Sequence, residues 1–232
     1  MIKQAFVLAG GKGERLRPLT NDLPKPLVKV KDKPILEYNI ELLAKHGVKE
    51  IIIATGYLHE KIEAYFGEGK KFGVKIIYSE EKEPLGTGGA LKKAESILQD
   101  QFFMLNGDNI SNFDLTALGE THFKSNCEAT LTLVEVEDVS SYGVAKLEGE
   151  KIVEFIEKPS KEDAPSNFVN AGCYAINKKA LELLPTEFNL IEKTMFPKLA
   201  EQKKLGAFKH QGFWFTTDTF ERIVKAEKGL TQ

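Results

Sequence analysis

The sequence predicts an α/β protein with a mixed, mostly parallel central sheet that is flanked by helices. Short apolar strands alternate with helical patterns over roughly the first half of the chain, which is the order expected of parallel strands joined by crossover helices. The first strand runs directly into a glycine-rich loop, an arrangement that α/β proteins use to hold phosphates. A length of 232 residues is enough to bury one full core.

The individual elements follow from the spacing of apolar residues and from turn residues. A helix is predicted where Ile35, Tyr38 and Leu42 recur at helical spacing, and His46-Gly47 marks its end. The predicted elements are strand 5–9, helix 34–45, strand 49–55, helix 59–66, strand 74–78, helix 89–98, strand 102–105, strands 129–136, 143–147, 151–155 and 172–176, and a helix at 221–228. Gly149 is expected at a hairpin turn between two of the later strands.

Composition and charge exclude several classes of protein. The net charge of −2 offers no basic field for nucleic acid or for an anionic membrane surface. The apolar runs are too short to span a bilayer, and the amino terminus lacks the features of a signal peptide. Cys127 and Cys173 lie far apart in sequence and are interpreted as buried thiols in a reducing compartment. We therefore predict a cytoplasmic protein without a nucleic-acid or membrane partner.

The glycine-rich loop at 10–16 does not fit two common nucleotide motifs. The dinucleotide fingerprint needs a third glycine where this chain has Leu16, and no acidic residue follows at the ribose-binding position. The P-loop requires Gly-Lys followed by Ser or Thr at the end of the loop, and that triplet is absent here.

The segment instead resembles the signature of the sugar-phosphate nucleotidylyltransferases. The resemblance is carried by Leu8–Gly11, Gly13, Arg15–Leu16, Pro18–Thr20 and Pro24–Pro26. It implies a Rossmann-like nucleotidyltransferase domain over residues 1–232, with an NTP-binding half at 1–110 and a sugar-phosphate-binding half at 111–232. Longer members of the family add a C-terminal β-helix, which is not expected in this chain. The implied substrates are an NTP and a sugar 1-phosphate, and oligomeric state is left open.

The resemblance assigns the nucleotide site and two catalytic cations. Arg15 is expected to face the leaving pyrophosphate and Lys25 to reach towards the α-phosphate; the alternative is that both are ordinary surface cations. The residues expected to bind nucleotide are Leu8, Ala9, Gly10, Gly11, Gly13, Arg15, Lys25, Glu81, Pro84, Gly86 and Thr87.

Two aspartates are expected to bind Mg²⁺, the cofactor that the resemblance implies. Asp108 follows the strand at 102–105, and an acid at the carboxyl end of a buried strand suits Mg²⁺, which takes a few carboxylates besides phosphate oxygens and water. The second ligand is expected to be Asp218, which lies two residues after the usual acid position, held here by Thr216. An alternative role for Asp218 is the N-cap of the helix that follows.

The sugar-phosphate site is also expected from the resemblance. Lys158 would bind the phosphate as a catalytic cation, and Glu157 would accept hydrogen bonds from sugar hydroxyl groups. The full set is Asn106, Gly107, Gly143, Glu157, Lys158, Asn170 and Gly172.

The base and the sugar are indicated less directly. A carboxylate at Glu81 can accept from both donors of guanine, which favours GTP. The segment 83–89 resembles mannose- and manno-heptose-phosphate guanylyltransferases, so GDP-mannose synthesis from mannose 1-phosphate is the preferred interpretation. The segment 212–219 resembles glucose-1-phosphate cytidylyltransferases, so a cytidylyl-, uridylyl- or thymidylyltransferase is the alternative. A regulatory paralogue that binds nucleotide sugar without turnover is the non-enzymatic alternative.

Overall fold

A computed structural model describes residues 1–230, with strands and helices alternating along the chain. The strands are β1 (Gln4–Leu8), β2 (Lys29–Val30), β3 (Lys33–Pro34), β4 (Glu50–Thr55), β5 (Lys75–Glu80), β6 (Gln101–Asn106), β7 (Asn109–Ser111), β8 (Ala129–Glu135), β9 (Gly143–Glu148), β10 (Lys151–Glu157), β11 (Phe168–Asn177), β12 (Leu205–Lys209) and β13 (Trp214–Thr216). The helices are α1 (Ile35–Lys45), α2 (His59–Phe66), α3 (Gly86–Lys93), α4 (Leu115–Ser125), α5 (Ile191–Glu201) and α6 (Phe220–Gly229).

These elements form two compact units, each assembled from separate parts of the chain. The glycine-loop unit contains Lys3–Pro84, Leu105–Phe113 and the described residues from Gly212 to 230. The hairpin unit contains Met1–Ile2, Leu85–Met104 and Asp114–Gln211. The sequence analysis assigned NTP binding to residues 1–110 and sugar-phosphate binding to residues 111–232. That assignment concerns ligands and stays a prediction.

The glycine-loop unit is built on parallel strands in the order β5-β4-β1, with the last residues of β6 beside β1. Val7 pairs with Ile53, and Ile53 pairs with Tyr78, so these strands run in register. Because their carboxyl ends meet at one edge, the loops after them lie together, as ligand sites in α/β folds require. The centres of β1 and β4 are buried, and α1 adds Ile35, Ile40 and Leu43 to the core. The predicted strand–helix alternation is confirmed here.

The hairpin unit contains a mixed sheet. Its strands follow the order β6-β11-β8-β12-β10-β9, with β8 and β11 antiparallel and β8 and β12 parallel. Strands β9 and β10 form a hairpin, and Gly149 lies in its turn with φ +64°, a backbone conformation that favours glycine. The mixed α/β fold class and the predicted hairpin turn are therefore confirmed.

The structure corrects one helix and adds elements that the pattern did not predict. The helix predicted at 89–98 begins at Gly86, ends at Lys93 and is followed by a 3₁₀ turn, Glu95–Ile97. Its first turn is rich in glycine, which has low helix propensity, so contacts from elsewhere in the chain must stabilise it. Helices α4 and α5 and strand β12 were not predicted. Within residues 1–230, no helix is long and apolar enough to cross a membrane.

Candidate active site

The glycine-rich loop after β1 is fixed by bonds to its neighbours in the glycine-loop unit. Ala9 N donates to Ala54 O at 2.9 Å, and Gly10 O accepts from Tyr57 N at 3.4 Å. Gly13 has φ +64°, and a side chain there would begin 3.0 Å from Lys25 Cβ. The loop therefore lies directly against Lys25.

Gly107 brings the residues on either side of it to the end of β1. Its N–H donates to Leu8 O at 2.9 Å, and a Cβ at this position would lie only 2.5 Å from that oxygen. The side-chain oxygen Asn106 Oδ1 is buried and makes no hydrogen bond within the described chain. A buried acceptor without a partner is costly, so Asn106 is suited to receive a donor from a ligand.

The pairing of β7 with β13 places Asp108 and Asp218 close to each other. The register opposes Asn109 to Thr216, one residue beyond Asp108 and two before Asp218. Thr217 strengthens this link, because its N–H and its hydroxyl group both donate to Asp108 O, at 3.2 and 2.7 Å. Two carboxylates from distant parts of the sequence thus lie on adjacent loops.

Each of these carboxylates is paired with a cation. Lys25 Nζ lies 2.6 Å from Asp108 Oδ2, and its side chain is only 11% exposed. Arg15, which is 70% exposed, forms an ion pair with Asp218. Lys25 is therefore not an ordinary surface cation, whereas Arg15 remains accessible to an anionic ligand.

Asp218 is held by a second cation that the sequence analysis did not identify. Arg222 Nη1 donates to Asp218 Oδ1 at 2.7 Å, at the i, i+4 spacing of a helical pair. Burial alone would raise the pKa of Asp218. The Arg222 guanidinium and the Lys25 ammonium have the opposite and larger effect, so the pKa of Asp218 lies below its usual value. Asp218 does not cap α6, because the N-cap is Thr219, whose hydroxyl oxygen accepts from Arg222 N at 3.3 Å.

The other nucleotide candidates of the glycine-loop unit lie near the same loop or remain exposed. Glu81 follows β5, and its Oε1 would lie 3.1 Å from a Cβ placed on Gly10. Gly11 is exposed with open space around its Cα, and Pro84 is also exposed.

The hairpin unit contains the sugar-phosphate candidates Gly143, Glu157 and Lys158. Lys158 N donates to Tyr142 O at 3.0 Å, and Lys158 Nζ lies 3.7 Å from Glu157 Oε1. Burial raises the pKa of Glu157, which the neighbouring Lys158 opposes. A Cβ on Gly143 would lie 2.8 Å from Glu157 Oε2, so the absence of a side chain there keeps space for that carboxylate.

A bulge in β11 orients the third group of sugar-phosphate candidates. The register against β8 shifts between Asn170 and Tyr174, and Gly172 within this stretch has φ +74°. Asn170 Oδ1 accepts from Gly172 N at 3.0 Å, while its Nδ2 donates to the hydroxyl group of Tyr174 at 2.9 Å. Tyr174 is completely buried and thereby fixes the amide orientation.

The remaining nucleotide candidates, Gly86 and Thr87, begin α3 in the hairpin unit. The hydroxyl group of Thr87 donates to Glu192 Oε2 at 2.7 Å. Glu192 and Thr217 were missed by sequence reasoning, because their partners Thr87 and Asp108 lie more than a hundred residues away along the chain. Tyr174 was missed because its contact with Asn170 depends on the bulge in β11. Arg222 could have been found from its position four residues after Asp218, at the start of the predicted helix.

Comparison with known proteins identifies the family. Residues 4–232 match the family described as Nucleotidyl transferase. The chain belongs to this family. The resemblance noted in the sequence is therefore confirmed, as is the Rossmann-like fold class, since the chain also superimposes on solved nucleotidyltransferases.

The sequences of individual relatives align with most of this chain. A mannose-1-phosphate guanyltransferase from Yarrowia lipolytica is 43% identical over 217 residues, covering 91% of this chain and 59% of the relative. The mannose-1-phosphate guanylyltransferase catalytic subunit beta of Drosophila pseudoobscura pseudoobscura is 42% identical, covering 91% and 58%. The chain thus spans about three fifths of the length of these curated relatives. Among solved structures, a UDP-glucose pyrophosphorylase complexed with UDP-glucose superimposes with a TM-score of 0.88 at 26% identity, covering 100% of this chain and 99% of that one.

Proposed function

We propose that this chain transfers a nucleotidyl group from an NTP to a sugar 1-phosphate and releases pyrophosphate. Two ion pairs, Lys25–Asp108 and Arg15–Asp218, are the observation that carries the proposal. They lie at the glycine-rich loop of a chain that belongs to the nucleotidyl transferase family. Cations and carboxylates in this arrangement can hold a triphosphate together with a divalent ion. The reaction needs charge neutralisation and alignment more than it needs a general base.

The chemistry follows from the groups that are present. An oxygen of the sugar phosphate attacks the α-phosphorus, a new P–O bond forms, and the α–β phosphoanhydride bond breaks. Pyrophosphate leaves with the bonding electron pair, and the nucleophile is already an anion. In this proposal Lys25 neutralises charge at the α-phosphate and Arg15 at the leaving group. Backbone groups of Leu8, Ala9, Gly10, Gly11 and Gly13 line the loop that receives the phosphates.

Asp108 and Asp218 fit a Mg²⁺ ion by their donor chemistry. Both are carboxylates, they lie on adjacent loops, and Mg²⁺ is usually held by one or two carboxylates together with substrate phosphates. Bound there, the ion would screen phosphate charge and polarise the reacting phosphoryl group. The Thr217 bonds to Asp108 O and the Arg222 bond to Asp218 orient these two ligands.

The hairpin unit is proposed to bind the sugar phosphate. Lys158 is exposed and carries the positive charge for the nucleophilic phosphate, while half-buried Glu157 accepts from sugar hydroxyl groups. Asn170, held by Tyr174, and the backbone at Gly143 and Gly172 complete this group. Asn106, whose Oδ1 has no hydrogen-bond partner among the described residues, and Gly107 remain sugar-phosphate candidates of the glycine-loop unit.

The base and sugar are proposed to be guanine and mannose. The curated relatives named above are mannose-1-phosphate guanylyltransferases, and Glu81 supplies a carboxylate that can accept both donors of guanine. The superimposable UDP-glucose pyrophosphorylase favours a second candidate, glucose-1-phosphate uridylyl transfer. Two buried free thiols, Cys127 and Cys173, are consistent with a cytoplasmic location.

Pyrophosphate release with Mg²⁺ tests the proposal. GTP, CTP, UTP, dTTP and ATP are each combined with mannose, glucose, N-acetylglucosamine and heptose 1-phosphates. A maximum at GTP with mannose 1-phosphate supports the proposed pair, and a maximum at UTP with glucose 1-phosphate supports the second candidate. Nucleotide binding without turnover in any combination would contradict the enzymatic proposal and favour a regulatory protein.

A further inference from the structure

The first turn of α3 is held by the segment that leads into α5. Asn189 O accepts from Gly88 N at 2.9 Å and from Gly89 N at 3.4 Å, and Asn189 N donates to Leu85 O at 3.0 Å. These contacts join two parts of the hairpin unit that are about a hundred residues apart. They use amides of the first turn that a helix otherwise leaves unpaired.

Thr87 and Glu192 extend this junction with their side chains. Thr87 Oγ1 accepts from Ile191 N at 2.9 Å and donates its only proton to Glu192 Oε2 at 2.7 Å. Because that proton is committed to Glu192, the hydroxyl group cannot donate to a ligand while the contact holds. The contact fixes the rotamer of Thr87 and the path of Gly86–Gly89.

Glu192 also lies in the electrostatic field of the sugar-phosphate candidates. Burial raises the pKa of its carboxyl group, the Thr87 hydroxyl opposes this, Glu157 raises it further and Lys158 lowers it. Glu192 likewise contributes to raising the pKa of buried Tyr174, which holds Asn170. The carboxylate of Glu192 therefore contacts the α3 turn through Thr87, and its pKa also responds to the charges of Glu157 and Lys158.

We propose that Glu192 is a positioning residue that acts through Thr87 to set the first turn of α3 for nucleotide binding. The inference rests on the proposed nucleotidyl transfer and on the assignment of Gly86 and Thr87 to the nucleotide. Glu192 itself need not touch either substrate. What it supplies is a hydrogen-bond acceptor at a fixed place, so removal of the acceptor matters more than removal of the charge.

Steady-state kinetics of four variants test this role. Glu192→Ala and Thr87→Val should each raise KM for the NTP about tenfold with kcat within about threefold of wild type, because a bond to a charged group is lost. Glu192→Gln keeps an acceptor and Thr87→Ser keeps the donor, so both should stay within about threefold of wild type. Thr87→Val also removes the acceptor of Ile191 N, so the double variant Glu192→Ala/Thr87→Val should be no worse than Thr87→Val alone, as expected if Glu192 acts through Thr87. Glu201→Ala, at the exposed carboxyl end of the same helix, is the matched control and should leave KM unchanged.

Three results would overturn the inference. If Glu192→Ala lowers the melting temperature but leaves KM for the NTP unchanged, the residue is only structural. If Glu192→Gln is as impaired as Glu192→Ala and the increase is in KM for the sugar phosphate, the carboxylate contacts the sugar. Additive effects in the double variant would show that Thr87 and Glu192 act separately. Should Glu192→Ala fail to fold, the comparison of Thr87→Val with Thr87→Ser decides the question. Lack of turnover by wild type with every substrate pair would instead contradict the proposed function itself.

Discussion

Gly107→Ala should displace Asp108 without changing any charged group. The added Cβ would lie 2.5 Å from Leu8 O, whereas ordinary contact begins at 3.4 Å, so the two backbones must separate by up to about 0.9 Å. The Gly107 N–H bond to Leu8 O at 2.9 Å opposes that separation. A displacement near 1 Å in a reacting centre costs about 100-fold in rate, and overpacking costs about 1–3 kcal/mol of stability.

The assay is pyrophosphate release together with thermal unfolding, with activity normalised to the folded fraction. We expect kcat to fall about 100-fold and the melting temperature to fall as well. Gly119→Ala in α4 is the matched control, because its Cβ would lie 3.5 Å from Phe103 Cζ, an ordinary contact. Alanine is favoured over glycine in a helix by up to about 1 kcal/mol, so the control should be as stable as wild type or more stable, and fully active. A Gly107→Ala variant with wild-type kcat would refute the argument that close approach to β1 positions Asp108.

Three further predictions concern the metal, the sugar phosphate and the pH dependence of stability. Asp218→Asn should lower kcat about 100-fold and raise the Mg²⁺ concentration for half-maximal activity, and a Mg²⁺ titration that matched wild type would contradict the assigned role. Lys158→Met should lower kcat/KM for the sugar phosphate about 100-fold, measured beside the exposed control Lys161→Met, which should resemble wild type. His122 is buried, and burial lowers its pKa although Asn177 opposes this, so the neutral form is favoured on folding. Its contribution to stability is therefore present above the unfolded-state pKa of about 6.5 and is lost as pH falls below it, at up to about 1.4 kcal/mol per pH unit. Urea unfolding should show this decline in wild type and a weaker one in His122→Gln; equal slopes would exclude His122 as its source.

The elements of the fold that could be predicted from sequence are those determined by residues close together in the chain. The strand Gln4–Leu8, the glycine-rich loop and the helices α1 and α2 could be recognised because apolar spacing and turn residues lie within a few positions of each other. The same holds for the hairpin turn at Gly149. Helix α3 was misplaced because its glycine-rich first turn depends on Asn189, which local propensity cannot reveal.

The residues of the candidate site were likewise predictable only where the signal lay in the local sequence. Asp108 could be proposed because it directly follows a buried strand, and Arg15 and Lys25 because they belong to a dense local motif. Thr217 could not be proposed, since its bond to Asp108 O joins residues 109 positions apart through the pairing of β7 with β13. The N-cap interpretation of Asp218 was wrong by one residue, because Thr219 performs that role.

Transfer of a radiolabel tests the central claim most directly. The chain is incubated with Mg²⁺, mannose 1-phosphate and GTP labelled at either the α- or the γ-phosphate, and the products are separated. Nucleotidyl transfer predicts that α-label appears in GDP-mannose and γ-label in pyrophosphate, in equal amounts. Release of γ-label as inorganic phosphate together with α-label in GDP would show that the β–γ bond is broken instead. Release of α-label as GMP without nucleotide sugar would show transfer to water instead of to the sugar phosphate, and either result would contradict the account.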